Sequence, residues 1–277
     1  MAVSHVFNVL HLYVDSISVS KAGATAEGYQ ALSNDIERQT QLPMDFDGVI
    51  YPWFAFLATR ENPNISVANR FYGGDPNGEN KIRGIALRRG DTPKFVANIQ
   101  RSVLEILAKE TDPAKLPNLL PEILEMVQER LSTLKNREVP LAQLVVRQTT
   151  NRELKTYSVN SPPVVALRQL QVQGIIRRRG QTIRFIHTAR GPGVHAWDLP
   201  NELDPRGIDV IQYRELVFRA VYEVLQPLGI TERVLKDWIF HKAGYVMPEN
   251  LINSPQKLAR QEVPLFADLP YLHLDVV

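Results

Sequence analysis

His11-Leu12-Tyr13-Val14-Asp15-Ser16-Ile17-Ser18-Val19 has the pattern of two short strands around a tight turn. Val6 to Val14 is apolar and β-branched, the pattern resumes from Ile17 to Val19, and Asp15-Ser16 supplies the turn between them. A carboxylate at such a tip is held at a rigid place yet stays open to substrate phosphates, which suits a divalent cation bound through oxygen. Asp in a hairpin turn is more often simply a turn former whose side chain bonds nearby backbone. The stretch alone leaves both readings open.

Working outward, Ala26, Tyr29, Ala31, Leu32 and Ile36 recur at helical spacing between Thr25 and Thr40, with Glu27, Asp35, Glu37 and Arg38 on the other side. Met44 to Leu57 is aromatic and β-rich, with Pro52 suiting an edge position. Gly73-Gly74 with Asp75-Pro76-Asn77-Gly78 marks a turn between two further strands. After Asp91-Thr92-Pro93 the spacing becomes helical, carried by Phe95, Val96, Ile99, Val103, Leu104 and Leu107. Further helices are predicted over 119–135, 162–173, 210–228 and 231–240, with a short strand over 181–186. From Gly244 the periodicity fades among Pro248, Pro255, Pro264 and Pro270, the pattern of a loosely ordered tail. The expected class is α+β: an antiparallel sheet with a packed helix over 1–92, a mainly helical domain over 93–243, and the tail over 244–277.

With 277 residues, 44% of them hydrophobic, the chain is long enough to bury a core. It has no cysteine, so a metal would be held by oxygen or imidazole. No run approaches the roughly 18 to 20 apolar residues of a membrane span, and no basic leader precedes an apolar stretch, so a cytoplasmic location without membrane contact is expected. The net charge is only +2, but between Glu153 and Asp198 there is no acidic residue, while Lys155, Arg168, Arg177-Arg178-Arg179, Arg184 and Arg190 fall in that interval. Arg70, Lys81, Arg83, Arg88, Arg89, Lys94 and Arg101 form an earlier cluster. Two basic regions suit a polyanion; they also suit solvated faces of an ordinary domain.

The opening hairpin resembles motif C of the family B DNA polymerases, written Y-G-D-T-D-S and carried on a hairpin of the palm. Asp15 matches its second aspartate and Ser16 its serine, whereas Tyr13 stands at the first aspartate and Val14 at the threonine. In that family the second aspartate is the principal ligand of two catalytic metals, so the resemblance implies that Asp15 is the catalytic carboxylate and a ligand of Mg2+. The resemblance continues in order along roughly residues 5 to 240. Asn69-Arg70-Phe71 stands at the K-K-R-Y segment, followed by Arg83-Gly84-Ile85 and Arg88-Arg89-Gly90-Asp91. Leu144-Val145-Val146-Arg147, Arg152 to Tyr157, and Ser161-Pro162-Pro163-Val164-Val165-Ala166 with Gly174 resemble the thumb segment, and Asp204-Pro205 to Gly229 its end.

The resemblance implies a rear palm over 1–92 and a thumb over 93–243, in a DNA-directed DNA polymerase of replication or repair that takes primer-template DNA and dNTP. It implies duplex contacts for Arg70, Lys81, Arg83, Arg88 and Arg89 near the primer end. For the thumb it implies Arg147, Arg152, Lys155, Tyr157, Arg168, Arg177, Arg178 and Arg179. Gripping phosphates without reading bases is the physical task such residues suit.

Two-metal phosphoryl transfer needs carboxylates from more than one element. The family's D-x-x-S-L-Y-P-S and K-x-x-x-N-S-x-Y-G segments and the exonuclease motifs do not occur in this sequence. With Met1 just before motif C, the expectation is a split polymerase, inactive alone and completed by a larger chain carrying exonuclease, motif A palm and fingers. The alternative is a non-catalytic DNA-binding accessory derived from a polymerase, with Tyr13 marking decay of the metal site. Gln261-Glu262-Val263-Pro264-Leu265-Phe266 loosely resembles a sliding-clamp docking peptide, but its spacing is imperfect and an ordinary tail turn is the favoured reading. The six histidines lack the close pairing of a zinc site, and Gly191-Pro192-Gly193 reads as a loop.

Overall fold

The alternation of the opening stretch forms β1 (Asn8–Tyr13) and β2 (Ser16–Ser20), paired antiparallel with Tyr13 opposite Ser16. The computed structural model describes residues 7–13, 16–58, 66–74 and 80–240. Asp15, the tail from 244 onward and the clamp-like segment 261–266 lie outside the described residues. The described chain divides into two compact units, one of residues up to 83 with 108–116, the other of 84–107 and 117–240.

In the first unit, α1 (Ala26–Thr40) begins where the Thr25 hydroxyl accepts the Gly28 N–H at 3.3 Å, and it buries Ser33 and Ile36. β3 (Trp53–Ala58), β4 (Ser66–Gly74) and β5 (Lys81–Arg83) form an antiparallel sheet in that order. The aromatic segment from Met44 becomes strand only at Trp53. Before it, the carboxylates of Asp45 and Asp47 accept the N–H groups of Phe46 and Val49, and such local bonds compete with a sheet ladder. Pro52 has no N–H to give, which fits its place just before an edge strand. His11 is buried, stacked on Phe56 at 5.4 Å and edge-on to Phe71 at 5.2 Å, so it packs as an aromatic ring.

In the second unit, α2 (Lys94–Leu107) and α6 (Val210–Leu225) pack their apolar faces together. Ile99, Val103 and Leu107 of α2, and Val217, Val221 and Val224 of α6, are almost wholly buried. Each contributes about 1.5–3 kcal/mol of hydrophobic burial. α3 (Leu120–Lys135) and α7 (Glu232–Phe240) join the same layer, with the short α4 (Leu141–Leu144) beside α2. The apolar spacing predicts one helix over 210–228. The α-helix stops at Leu225, because Pro227 cannot donate to the ladder, and Gly229 closes a single 3-10 turn at φ 82°. Thr231 then caps α7, accepting the Val234 N–H at 3.3 Å.

This unit also holds a three-stranded antiparallel sheet of β6 (Val146–Thr149), β7 (Thr182–His187) and β8 (Val194–Ala196). The sequence pattern reveals only β7. β6 has one buried residue and β8 has three residues, too few for alternation to register. Ile183, Phe185, Val146 and Ala196 pack on Ala166, Leu167 and Leu170 of α5 (Pro162–Val172). Gln169 fastens α5 to the edge strand β8: its amide donates to the Val194 carbonyl at 2.8 Å and accepts the Ala196 N–H at 2.8 Å.

Candidate nucleic-acid interface

On the face of β6–β8 away from α5, Arg147 stands directly opposite Arg184 in the strand register. Like charges in that position repel. Asp198 relieves the pair by holding Arg184 in an ion pair, and it also accepts from Arg177 at 3.1 Å. The Asp198 side chain is only 13% exposed, against 28% for Arg177 and 42% for Arg184. Burial opposes its ionisation, but the hydrogen bonds from Arg184 and Arg177 outweigh burial and hold the carboxyl below the usual carboxylate range. Arg147 is left exposed.

Thr150, buried at the end of β6, ties that strand to the arginine turn. Its hydroxyl donates to the Arg178 carbonyl at 2.8 Å, its N–H donates to Gln181 at 3.0 Å, and its carbonyl accepts the Gly180 N–H at 2.8 Å. The Gln181 side chain accepts the Arg178 N–H at 2.7 Å. Gly180 at φ 84° allows the reversal. Arg178 and Arg179 thus project into solvent from a rigid backbone, while the guanidinium of Arg177 turns back to Asp198.

The same tie brings the 150–157 loop alongside, where the Arg179 N–H meets the Glu153 carboxylate at 3.5 Å. Arg152 and Lys155 are exposed on this loop. Tyr157 is half-buried against the β6–β8 core, and its hydroxyl accepts the Arg152 N–H at 3.2 Å. Arg168 is exposed on α5 and hydrogen-bonds Asn160. One sheet, one helix and two pinned loops therefore carry Arg147, Arg152, Lys155, Arg168, Arg178 and Arg179.

The earlier cluster divides between the units. In the first, Lys81 bonds Asp47 at 2.7 Å and lies 6.0 Å above the Tyr51 ring, Arg83 pairs opposite Phe71 in the strand register, and Arg70 is half-exposed on β4. In the second, Arg88 and Arg89 are exposed at the end of the 3-10 turn Ala86–Arg88. Among the described residues no cluster of three or more His, Asp or Glu is gathered to hold a metal ion, and Asp15 is not among those residues. Nor is any described helix long and apolar enough to cross a membrane.

The sequence profile of DNA polymerase family B matches residues 67–209, just over half of the 277-residue chain. The chain belongs to the family B DNA polymerases. The part of this family B chain that matches includes every cationic candidate from Arg70 to Arg179 and does not reach Asp15. Among curated relatives, the DNA polymerase of Archaeoglobus fulgidus is 24% identical over 249 residues, 83% of this chain and 30% of the relative. That of Desulfurococcus sp. strain Tok is 31% identical over 173 residues, 60% of this chain and 21% of the relative. The family B DNA polymerase of Pyrobaculum calidifontis has a similar fold, with a TM-score of 0.55 and 22% identity over 78% of this chain and 26% of that one. The family B chain thus spans less than a third of the length of these relatives.

Sequence reasoning passes over three residues that organise the site. Asp198 is the acid that ends the acid-free interval after Glu153, a position that already signals an arginine partner. Gln100 is a polar residue on the apolar stripe of α2, a pattern break that marks a buried hydrogen bond. Thr150 carries no signal, because its role is set by a turn 28 residues away.

Proposed function

We propose that this chain is part of a DNA-directed DNA polymerase, contributing the Asp15 carboxylate to a two-metal site and a thumb that grips duplex DNA, with a larger chain supplying exonuclease, motif A palm and fingers. On this reading residues 1–92 form the rear palm and 93–243 the thumb. The observation that carries it is the set of exposed arginines and Lys155 held on rigid backbone by Thr150 and the β6–β8 sheet, inside the segment matching the family profile. Such a surface binds phosphates irrespective of base sequence, as a polymerase that translocates requires.

Oxygen ligands on a chain without cysteine fit magnesium. When bound, two ions would lower the barrier to attack by the primer hydroxyl and stabilise the pyrophosphate leaving group. This chain's part is to supply the Asp15 carboxylate and keep the primer-template in register. dNTP is the expected substrate, and alone the chain is expected not to polymerise. Docking of 261–266 on a sliding clamp and a cytoplasmic location remain parts of the same proposal.

The test mixes the purified chain with the larger polymerase chain of the same organism, a primed template, dNTP and Mg2+. Extension that needs both chains and disappears with Asp15→Ala supports the reading; extension unaffected by Asp15→Ala rejects it. A second reading is favoured by Tyr13, which stands where motif C has its first aspartate. It makes the chain a DNA-binding accessory without catalysis, and predicts duplex binding indifferent to Asp15→Ala with no extension in the mixture.

A further inference from the structure

The turn that presents Arg88 and Arg89 lacks a cap of its own. Ile85, at the cap position of the 3-10 turn Ala86–Arg88, offers no side-chain hydrogen bond. The N–H groups of buried Ala86 and half-buried Leu87 would be orphaned, a state that folded proteins rarely tolerate. Two distant side chains take them instead. Glu223 of α6, 137 residues on, accepts the Ala86 N–H at 2.8 Å, and Gln100 of α2 accepts the Leu87 N–H at 2.6 Å. Gln100 is fully buried, and its amide is itself fixed, donating to the Ala220 carbonyl at 2.7 Å and to Glu223 at 3.0 Å. Ile85, buried completely, anchors the start of the turn, while Arg88 and Arg89 at its end are exposed.

We propose that Gln100 and Glu223 are positioning residues for duplex contact, a network of two helices that clamps the 85–89 backbone so that Arg88 and Arg89 meet the phosphates in a fixed geometry. This rests on the reading of the chain as a duplex-gripping polymerase component. A buried amide and carboxylate shared between two helices and one turn are an unusual use of polar groups in an apolar core, where a partly satisfied network would be worse than none. The arrangement accounts for both: one Glu223 oxygen accepts from the Ala86 N–H and from the Gln100 amide, and the Gln100 oxygen accepts from the Leu87 N–H. Both residues are buried beneath the turn, so each acts through the arginines.

The experiment is a thermodynamic cycle read by fluorescence anisotropy of a labelled duplex over a salt series, using the full chain. The proteins are wild type, Gln100→Met, the pair Arg88→Ala/Arg89→Ala, and the triple combination; Glu223→Leu repeats the cycle from the other helix. Melting by circular dichroism keeps each assay well below its transition, and Gln100→Met carries the test if Glu223→Leu does not fold. Loss of both arginines should lower the salt slope by up to about 2, at roughly 0.9 per phosphate contact. Gln100→Met should weaken binding at least threefold and lower the slope too, yet change nothing further once both arginines are gone. Unchanged binding by Gln100→Met, or equal weakening with and without the arginines, overturns the proposal, since a merely structural role acts in both backgrounds alike. If the arginine pair binds as wild type, the proposal falls while the wider reading survives on the other contacts. A wild-type chain that binds no duplex even at low salt sinks that wider reading as well.

Discussion

Arg177 donates to Asp198 at 3.1 Å, which sets it apart from the two arginines that follow it in sequence. The run of three is chemically uniform but structurally divided: one guanidinium neutralises a half-buried acid, and two stand in solvent on a pinned turn.

The division predicts different consequences for neighbouring substitutions. Arg178→Ala with Arg179→Ala should leave the melting temperature nearly unchanged, because exposed surface changes usually stay within about 0.5 kcal/mol. It should weaken duplex binding and lower the salt slope by up to about 2. Arg177→Ala should do the reverse, destabilising the fold by about 1–3 kcal/mol through the partner it leaves behind, with the smaller effect on slope. Anisotropy titrations at several salt concentrations beside thermal melts decide between them, and equal slopes for all three arginines would refute the division.

Asp198 gives the second prediction, a pH dependence of stability. Its folded pKa is depressed below the ordinary 3.8, so the unfolded chain binds the proton more readily. The stabilisation is therefore fully present above that value and is lost as pH falls through the folded pKa. Asp198→Asn should lower stability at pH 7 and flatten the acid limb below about pH 4. Urea unfolding at pH 3, 4 and 7 measures both, and a parallel pH profile in the variant would show that Asp198 is not the group responsible.

Much of this layout was legible from residue order. Helical spacing located α1, α2, α3, α5, α6 and α7, since long amphipathic stretches average over many positions. The strands of the second unit were mostly invisible, because β6 and β8 are short and their burial comes from α5 rather than from their own alternation. Charge runs pointed to the basic residues, but charge alone cannot say which arginine has an acid within reach; that is fixed by a pairing between β7 and the segment after β8. The turn capped by Gln100 and Glu223 was unreadable for the same reason, its partners lying 13 and 137 residues away.

A third prediction concerns Tyr213, fully buried in α6. Its hydroxyl donates to the Leu144 carbonyl at 2.7 Å and accepts the His187 N–H at 3.0 Å, joining the end of α4 to the end of β7. Burial raises its pKa, so it stays a neutral donor. Tyr213→Phe keeps the ring but orphans the buried Leu144 carbonyl and the partly buried His187 N–H, which should cost about 1–3 kcal/mol. Urea denaturation with an unchanged m-value would report that loss as pure destabilisation. A variant as stable as wild type would mean that water replaces the hydroxyl.

The fourth prediction lies in the first unit, where Trp53 pairs opposite Gly74 and its indole covers the glycine. A Cβ at Gly74 would lie only 2.2 Å from the indole Cζ2, and the ring is not free to swing away, because its Nε1 donates to the Glu110 carbonyl at 2.8 Å. Gly74→Ala must therefore either break that hydrogen bond or push β3 from β4, and overpacking of this kind costs about 1–3 kcal/mol. Gly90→Ala is the control, since a Cβ there meets nothing within 4 Å and the backbone is not left-handed. Gly90→Ala should change stability by no more than about 0.5–1 kcal/mol. Thermal melts of the two variants should differ by several degrees, and equal melting temperatures would mean that the β3–β4 pair yields at the ring without loss.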